Sequence, residues 1–290
     1  MADNNNTQVA SQQQVSVSSI TQNPAVAKRF SDILGKKSAG FISSLVSLSK
    51  TKALAVAEPN TVVASALVAA SLDLPIVPTL GFAAIVPFYD SKKKQTLAQF
   101  QIMTKGLIQL AQRSGQYKTI NVAPVYEGDI KSNNRFTGEI EFNTDNIPDK
   151  SKEPIGYVAY MQLTNGFDKY LYMTTEELKQ HGLRFSQTFK KGFGLWKDNF
   201  DAMAKKTVLK LLLSKFGPLS VDTQMQLALQ ADQAAIRLDN VADTDIADAT
   251  MEYIDNVEEV GIEENSEEVD PQENLFPEKE SEENNKGKGK

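Results

Sequence analysis

The sequence predicts an α+β fold in which helices come first, an antiparallel β-meander with hairpins occupies the middle, and helices return near the end. Apolar residues recur at helical spacing before residue 75 and again after residue 194. Most of the sequence between them alternates apolar and polar residues, with Gly, Asn and Asp at the turns. No internal repeat is present. This distribution is typical of helices segregated from an antiparallel sheet.

Charge divides the chain into a basic body and an acidic tail. Residues 238–290 contain 18 Asp and Glu and 4 Lys, a net charge of −14, which leaves 27 bases against 19 acids, a net of +8, in the rest of the chain. We predict a polar, disordered N-terminus at 1–22, a folded basic core at 23–237, and a disordered acidic tail at 238–290.

Two short helices are predicted between residues 23 and 52, and a third that begins near Pro59 and ends before Pro75. Residues 80–89 and 96–102 are β-rich and flank a polar tip at 90–95, which predicts a hairpin. Residues 103–114 return to helical spacing. Four further strands are predicted at 119–127, 136–143, 155–163 and 169–174, with turns at Gly128-Asp129, Asn133-Asn134 and Asn165-Gly166.

The last third of the ordered chain is predicted to be mostly helical. Thr174 followed by two glutamates indicates a helix start. Residues 183–194 are irregular and basic, with phenylalanines between the cations. Residues 194–217 predict one amphipathic helix, whose apolar face begins at Trp196. This face favours a core position for Trp196 over base stacking. Residues 221–238 predict a last helix with little charge.

Basic side chains recur on several predicted elements, which favours nucleic-acid binding. Lys105, Gln109 and Arg113 form one helical stripe, and Lys206 and Lys210 lie together on the flank of another helix. Lys190 and Lys191 belong to the basic segment with phenylalanines. Lys92, Lys93 and Lys94 form either a solvated turn or a basic finger that reaches a phosphate backbone.

Enzyme signatures are missing from the sequence. It has no phosphate-binding G-x-x-x-x-G-K-[ST] loop, no G-x-S-x-G elbow and no cysteine. The single histidine, His181, is predicted at a helix C-terminus. Glu139 and Glu141 share a strand face but make a weak metal site by themselves. We expect no catalytic residue, cofactor or metal. With no apolar run of about 18 residues and no signal pattern, we also expect no membrane partner and a cytoplasmic location.

Two stretches carry a family pattern. The first runs from Leu80-Gly81 and Pro87-Phe88 through Q-I-M-T-K-G-L-I-Q-L-A-Q-R-S-G-Q at 101–116 to V-Y-E-G-D at 125–129. The second is W-K-D-N-F-D-A-M-A-K-K-T-V-L-K-L-L-L-S-K-F at 196–216. In order and spacing they resemble the RecT family of phage single-strand annealing proteins, over residues 24–220. The L-G-L-x-P motif of the family appears here as Leu72-Asp73-Leu74-Pro75, with Asp73 in place of the glycine. We assign no function to that turn.

The resemblance implies a recombinase that works without ATP. Its core, at 23–237, would bind single-stranded DNA in a basic groove, anneal it to its complement to give annealed duplex DNA, and form oligomers. The resemblance also implies ring or helical oligomers, a phage exonuclease as partner, and a phage or prophage of a Gram-positive host. The basic positions of the family fall on Lys105, Arg113, Lys205, Lys206 and Lys210, which adds Lys205 to the predicted DNA contacts.

The acidic tail allows three interpretations. It is a solubilising segment, a competitor of DNA for the basic groove, or a site for a host replication protein, since Gln272 to Phe276 resembles peptides that bind sliding clamps. Two other functions stay open for the whole chain. One is an assembly protein whose basic core pairs with its acidic tail, and the other is a metal-dependent nuclease.

Overall fold

A computed structural model describes residues 15–218, 223–238, 241–242, 246 and 249–252. Within these residues the chain is a mixture of helices and antiparallel strands, with helices at its N-terminal side, so the predicted α+β class is confirmed. Of the predicted acidic tail, the structure describes residues 238, 241–242, 246 and 249–252, and a strand at Thr250–Glu252 corrects the prediction of disorder there. Leu275 and Phe276 lie outside the described residues.

In the described residues, four α-helices precede the first strand, at Val17–Gln22 (α1), Pro24–Leu34 (α2), Ser38–Ser49 (α3) and Pro59–Ser71 (α4). Helices α2, α3 and α4 confirm the three predicted here. Helix α1 corrects the prediction of disorder for residues 15–22: Ser16 and Ser19 form a capping box, and Val17 and Thr21 are buried. The helix was missed because the polar composition of residues 1–22 gives no sign that Val17 and Thr21 are buried.

Helix α4 runs through the centre of the core. Residues 61–70 are all buried, which the run of Ala, Ser and Val allows because small side chains permit close packing. The Glu58 carboxylate caps the helix by accepting hydrogen bonds from the backbone N–H groups of Asn60 and Thr61. Thr61 Oγ1 in turn accepts a hydrogen bond from the Ala98 N–H at 2.9 Å, which joins α4 to the neighbouring sheet.

This first sheet has the order β1-β2-β8-β9, with all neighbours antiparallel. Its strands are Ala83–Asp90 (β1), Gln95–Ile102 (β2), Ala235–Arg237 (β8) and Thr250–Glu252 (β9). The predicted β1–β2 hairpin is confirmed. Strand β8 corrects the helix predicted at 221–238, because helix α10 (Thr223–Ala231) ends at a turn in which Gln233 has a φ of 70°.

A second sheet has the order β3-β6-β7, and a separate pair joins β4 to β5. The strands are Tyr117–Val125 (β3), Ile130–Asn134 (β4), Glu139–Phe142 (β5), Gly156–Leu163 (β6) and Asp168–Thr174 (β7). The Asn165-Gly166 hairpin turn is confirmed, with Gly166 at a φ of 92°. The turn predicted at Asn133-Asn134 lies slightly later, since both residues pair in β4.

Helices α5 (Thr104–Ser114) and α6 (Thr175–Phe185) follow β2 and β7. The predicted start of α6 is confirmed by a capping box between Thr174 and Glu177. The prediction of a single helix at 194–217 is wrong. It is divided into α8 (Leu195–Asp198) and α9 (Phe200–Phe216) at Asn199, whose side chain caps α9 by accepting from the Ala202 N–H. A short helix, α7 (Gln187–Lys190), lies within the segment predicted to be irregular.

Helix α9 packs against the second sheet and against α5, so the two family-like stretches are neighbours in the fold. Among the described helices, none has the length and apolarity needed to cross a membrane.

Candidate nucleic-acid interface

The β1–β2 hairpin carries three lysines at its tip. Lys92, Lys93 and Lys94 are all exposed. The tip is fixed from below by the buried Asp90, whose Oδ1 accepts hydrogen bonds from the Lys92 and Lys93 backbone N–H groups at 2.9 and 3.1 Å. The side chains therefore extend from an ordered turn. This geometry is compatible with the basic finger, although a solvated turn has the same appearance.

Helix α5 positions the first predicted stripe. Lys105 is exposed in the first turn of the helix, and its stem passes beside Gly81. The helix begins close to Phe82, since a Cβ on Gly106 would lie only 2.2 Å from the Phe82 carbonyl oxygen, so glycine is required there. Gln109 is half-buried.

Arg113, the last member of this stripe, is exposed, but its guanidinium is bonded to the end of helix α4. Its guanidinium donates to the carbonyl oxygens of Leu72 and Asp73 at 2.8 and 3.0 Å and lies 3.6 Å from the Asp73 carboxylate. It thereby caps the end of helix α4. Asp73 adopts a φ of 48°, a left-handed conformation that explains why a glycine is favoured at this turn. Lys37 Nζ is bonded to the same carboxylate at 2.8 Å.

Helix α9 does not leave both of its predicted DNA-contacting lysines, Lys206 and Lys210, at the surface. Lys206 is buried, with 3% of its side chain exposed, and its Nζ donates to Asp232 Oδ1 at 3.0 Å. Lys210 is 28% exposed and donates to Asp232 Oδ2 at 2.7 Å. Burial lowers the pKa of Lys206, and Asp232 opposes this effect. In this conformation Lys206 has no access to a phosphate, because both its side chain and its partner are inside the core.

Lys205 lies on another side of α9 and forms an i, i+4 ion pair with Asp201 at 2.7 Å. Asp201 also hydrogen-bonds the Tyr157 hydroxyl, and burial together with this carboxylate raises the Tyr157 pKa. Lys205 is therefore partly neutralised at the surface.

The segment from α6 to α8 combines exposed cations with aromatic rings. Lys190 and Lys191 are exposed, as are Phe185 and Phe193. The Arg184 guanidinium lies 5.2 Å from the centre of the Phe185 ring. Exposed rings beside cations are the groups that hold single strands in known binding grooves. Trp196, in contrast, is buried, as its position on the apolar face predicted.

His181 lies within α6, not at the C-terminus that was predicted, because the helix continues to Phe185. Its ring is 4.6 Å from Phe185 and 6.2 Å from Trp196, centre to centre. The neighbouring Gly182 has no room for a Cβ, which would come within 2.9 Å of the Trp196 ring. Burial lowers the His181 pKa, and the Lys210 and Arg184 cations lower it further.

Glu139 and Glu141, the two glutamates considered as a metal site, are exposed and accept hydrogen bonds from neighbouring side chains. Glu139 accepts from Thr137 Oγ1, and Glu141 accepts from Ser132 Oγ. Among the residues that the structure describes, no three His, Cys, Asp or Glu side chains converge on a possible metal site.

Sequence reasoning missed Asp232 and the β4–β5 tip. Asp232 is the only acid in helix α10 and the turn that follows it, residues 223–234, a signal that could have marked it as the counterion of a buried lysine. At the tip, Phe136 is 86% exposed and Arg135 lies 4.7 Å from its ring centre. The sequence around Arg135 and Phe136 does not differ from that of an ordinary turn.

Comparison with known proteins assigns the family. The model of the RecT family matches residues 39–286. This chain belongs to the RecT family. It is 42% identical to the uncharacterized protein YqaK of Bacillus subtilis over 257 residues, which cover 87% of this chain and 86% of the relative. It is 27% identical to protein RecT of Escherichia coli over 214 residues, which cover 72% and 76% of the two chains.

Membership of the RecT family supports a role in single-strand annealing and DNA recombination, with binding to single-stranded DNA and self-association. The family match includes Asp232 and the α10–β8 segment, which lie beyond the resemblance recognised from the sequence.

Proposed function

We propose that this protein binds single-stranded DNA and anneals it to its complement without ATP, in homologous recombination of a phage or prophage. It acts as a ring or helical oligomer in the cytoplasm of the bacterial host, beside a phage exonuclease that produces the single strands. Family membership carries this proposal. A host replication protein that binds through the acidic tail is a further proposed partner.

Annealing requires no hydrolytic active site. Base pairing and stacking release about 1.4 kcal/mol per base-pair step, so the reaction is downhill once the strands are aligned. The protein has to neutralise phosphates, extend the strand and leave base edges available. Exposed lysines with neighbouring aromatic rings can perform these tasks without metal or nucleotide.

The proposed DNA contacts are the members of the predicted set other than Arg113 and Lys206. They lie at the β1–β2 tip, in helix α5 and in the α6–α9 region. They are Lys92, Lys93, Lys94, Lys105, Gln109, Lys190, Lys191, Lys205 and Lys210. Arg113 is exposed, but its guanidinium is bonded to the end of α4, and Lys206 is buried against Asp232. We infer that they support the interface from within.

The test is an annealing assay with complementary oligonucleotides, without nucleotide and with a chelator. Faster annealing than in protein-free solution is expected. The matched variants are Lys105→Ala, at the proposed interface, and Lys150→Ala, an exposed lysine in the β5–β6 loop. Only the first should slow annealing. No acceleration by the full chain would overturn the proposal, and cleavage that requires added metal would favour a nuclease.

A further inference from the structure

The turn after helix α10 places one buried carboxylate between two lysines of helix α9. Asp232 accepts hydrogen bonds from Lys206 Nζ and Lys210 Nζ through its two separate oxygens. The Asp232 side chain is fully buried, Lys206 is almost fully buried, and Lys210 is partly exposed. The two lysines therefore share a partner but differ in their access to solvent.

This cluster holds one positive charge more than its carboxylate neutralises. Lys206 alone balances Asp232, and a buried lysine needs such a counterion. Lys210 contributes the excess charge, at the end of the cluster that reaches solvent. A positive charge held at a protein surface raises the local concentration of polyanions.

The Lys210 ammonium retains hydrogen-bonding capacity. A lysine ammonium has three N–H donors. Within the part of the chain that the structure describes, Lys210 Nζ makes a single hydrogen bond, to Asp232. Two donors remain, so Lys210 can bind a phosphate oxygen while it stays bonded to Asp232.

The position of Asp232 is fixed by strand β2. Its Oδ1 accepts a hydrogen bond from the Ile102 N–H at 3.0 Å, and the next residue, Gln233, donates its N–H to the Phe100 carbonyl oxygen at 2.8 Å. Ile102 ends β2, and Lys105 lies three residues further on, in helix α5. Asp232 thus contacts both family-like stretches, through the Ile102 N–H of the first and the two lysines of the second.

We propose that Asp232 is a positioning residue for DNA binding, which holds the Lys210 ammonium at the surface so that its remaining donors bind a phosphate of single-stranded DNA. A lysine already held in place loses less conformational entropy when it binds. This inference rests on the proposed function, because it assigns one contact of that interface.

The experiment measures affinity for a single-stranded oligonucleotide against salt concentration in the full-length chain. Lys210→Ala removes the proposed contact and leaves Lys206 paired with Asp232. Lys206→Met keeps Lys210 bonded to Asp232. The double variant Lys206→Met/Asp232→Asn removes the buried cation and its counterion together, so it avoids an unpaired buried charge and leaves Lys210 in place without its carboxylate partner.

We expect Lys210→Ala to bind about five- to tenfold more weakly than the unmodified chain and to reduce the salt slope by about 0.7. The double variant should show the same loss relative to Lys206→Met alone. Adding Lys210→Ala to the double variant should weaken binding no further, because the contact is already lost. A purely structural role for Asp232 would change the unfolding midpoint without changing the salt slope.

Two results would overturn the inference. One is an unchanged slope in Lys210→Ala. The other is equal or tighter binding by the double variant than by Lys206→Met, since tighter binding would mean that Asp232 competes with phosphate. Failure of the unmodified chain to bind single-stranded DNA would instead overturn the proposed function. The two failures are therefore distinguishable.

Discussion

The hairpin tip and helix α9 both carry closely spaced lysines, yet the fold uses them in different ways. Lys92, Lys93 and Lys94 extend from a turn that is fixed by backbone hydrogen bonds to Asp90. Lys206 and Lys210 lie against the core and share Asp232. The spacing of charges along a chain therefore does not decide whether a lysine is available to a ligand. The counterion supplied by the tertiary fold decides it.

The largest expected effect concerns the buried pair. Asp232→Ala leaves Lys206 buried without its counterion, and we expect the free energy of unfolding to fall by about 3–5 kcal/mol. Urea unfolding measures this change. The control is Glu127→Ala, which removes an exposed ion pair with Lys152 and should cost less than about 1 kcal/mol. Similar small losses in both variants would show that the Lys206 pair is solvated.

A second prediction compares two glycines that lie in helices, Gly182 in α6 and Gly40 in α3. Gly182→Ala pushes a Cβ into the Trp196 ring and should destabilise the protein by about 1–3 kcal/mol. Gly40 in helix α3 faces open space, so Gly40→Ala should stabilise it by about 0.5–1 kcal/mol. Thermal unfolding of both variants gives the signs. A stabilising Gly182→Ala would contradict the close approach of α6 and α8.

Substitution of the exposed lysines should change single-stranded DNA binding but not the free energy of unfolding. Lys92→Ala/Lys94→Ala should lower the salt slope of single-strand binding by about 1.4, two contacts at 0.7 each, with unfolding unchanged within about 0.5 kcal/mol. The matched control, Lys150→Ala/Lys152→Ala, removes the same charge from the β5–β6 loop. If both pairs lower the slope equally, the hairpin tip is a solvated turn and not a DNA-binding finger.

The smallest effect is expected at His181. Its pKa is lowered in the folded state by burial and by Lys210 and Arg184, so the unfolded chain takes up the proton first as the pH falls below 6.5. The stability associated with neutral His181 is present above that pH and is lost below it. Urea unfolding across this range should show a smaller pH dependence for His181→Gln than for the unmodified chain. Identical curves would contradict the lowered pKa.

The sequence predicts those elements whose signals are local. The β1–β2 hairpin, the Asn165-Gly166 turn and the Thr174–Glu177 capping box depend on residues that lie close together in the chain. The break at Asn199 was missed because the apolar spacing continues across it, while the cap that divides the helix depends on a single side chain.

The candidate site was less predictable, for a physical reason. Lys206 was predicted to contact DNA from the flank of its helix, but its environment depends on Asp232, 26 residues further along the chain. Likewise, the position of Arg113 depends on carbonyl groups at the end of α4. Exposed lysines such as Lys105 need no distant partner, so sequence pattern alone places them correctly at the surface.

Lysine acetylation followed by mass spectrometry, with and without single-stranded DNA, tests the division between surface and buried lysines most directly. We predict that Lys92, Lys94, Lys105 and Lys190 react in the free protein and are protected by DNA, while Lys206 is unreactive in both states. Lys150 serves as the reactive, unprotected control. Reaction of Lys206 in the free protein together with its protection by DNA would contradict the account.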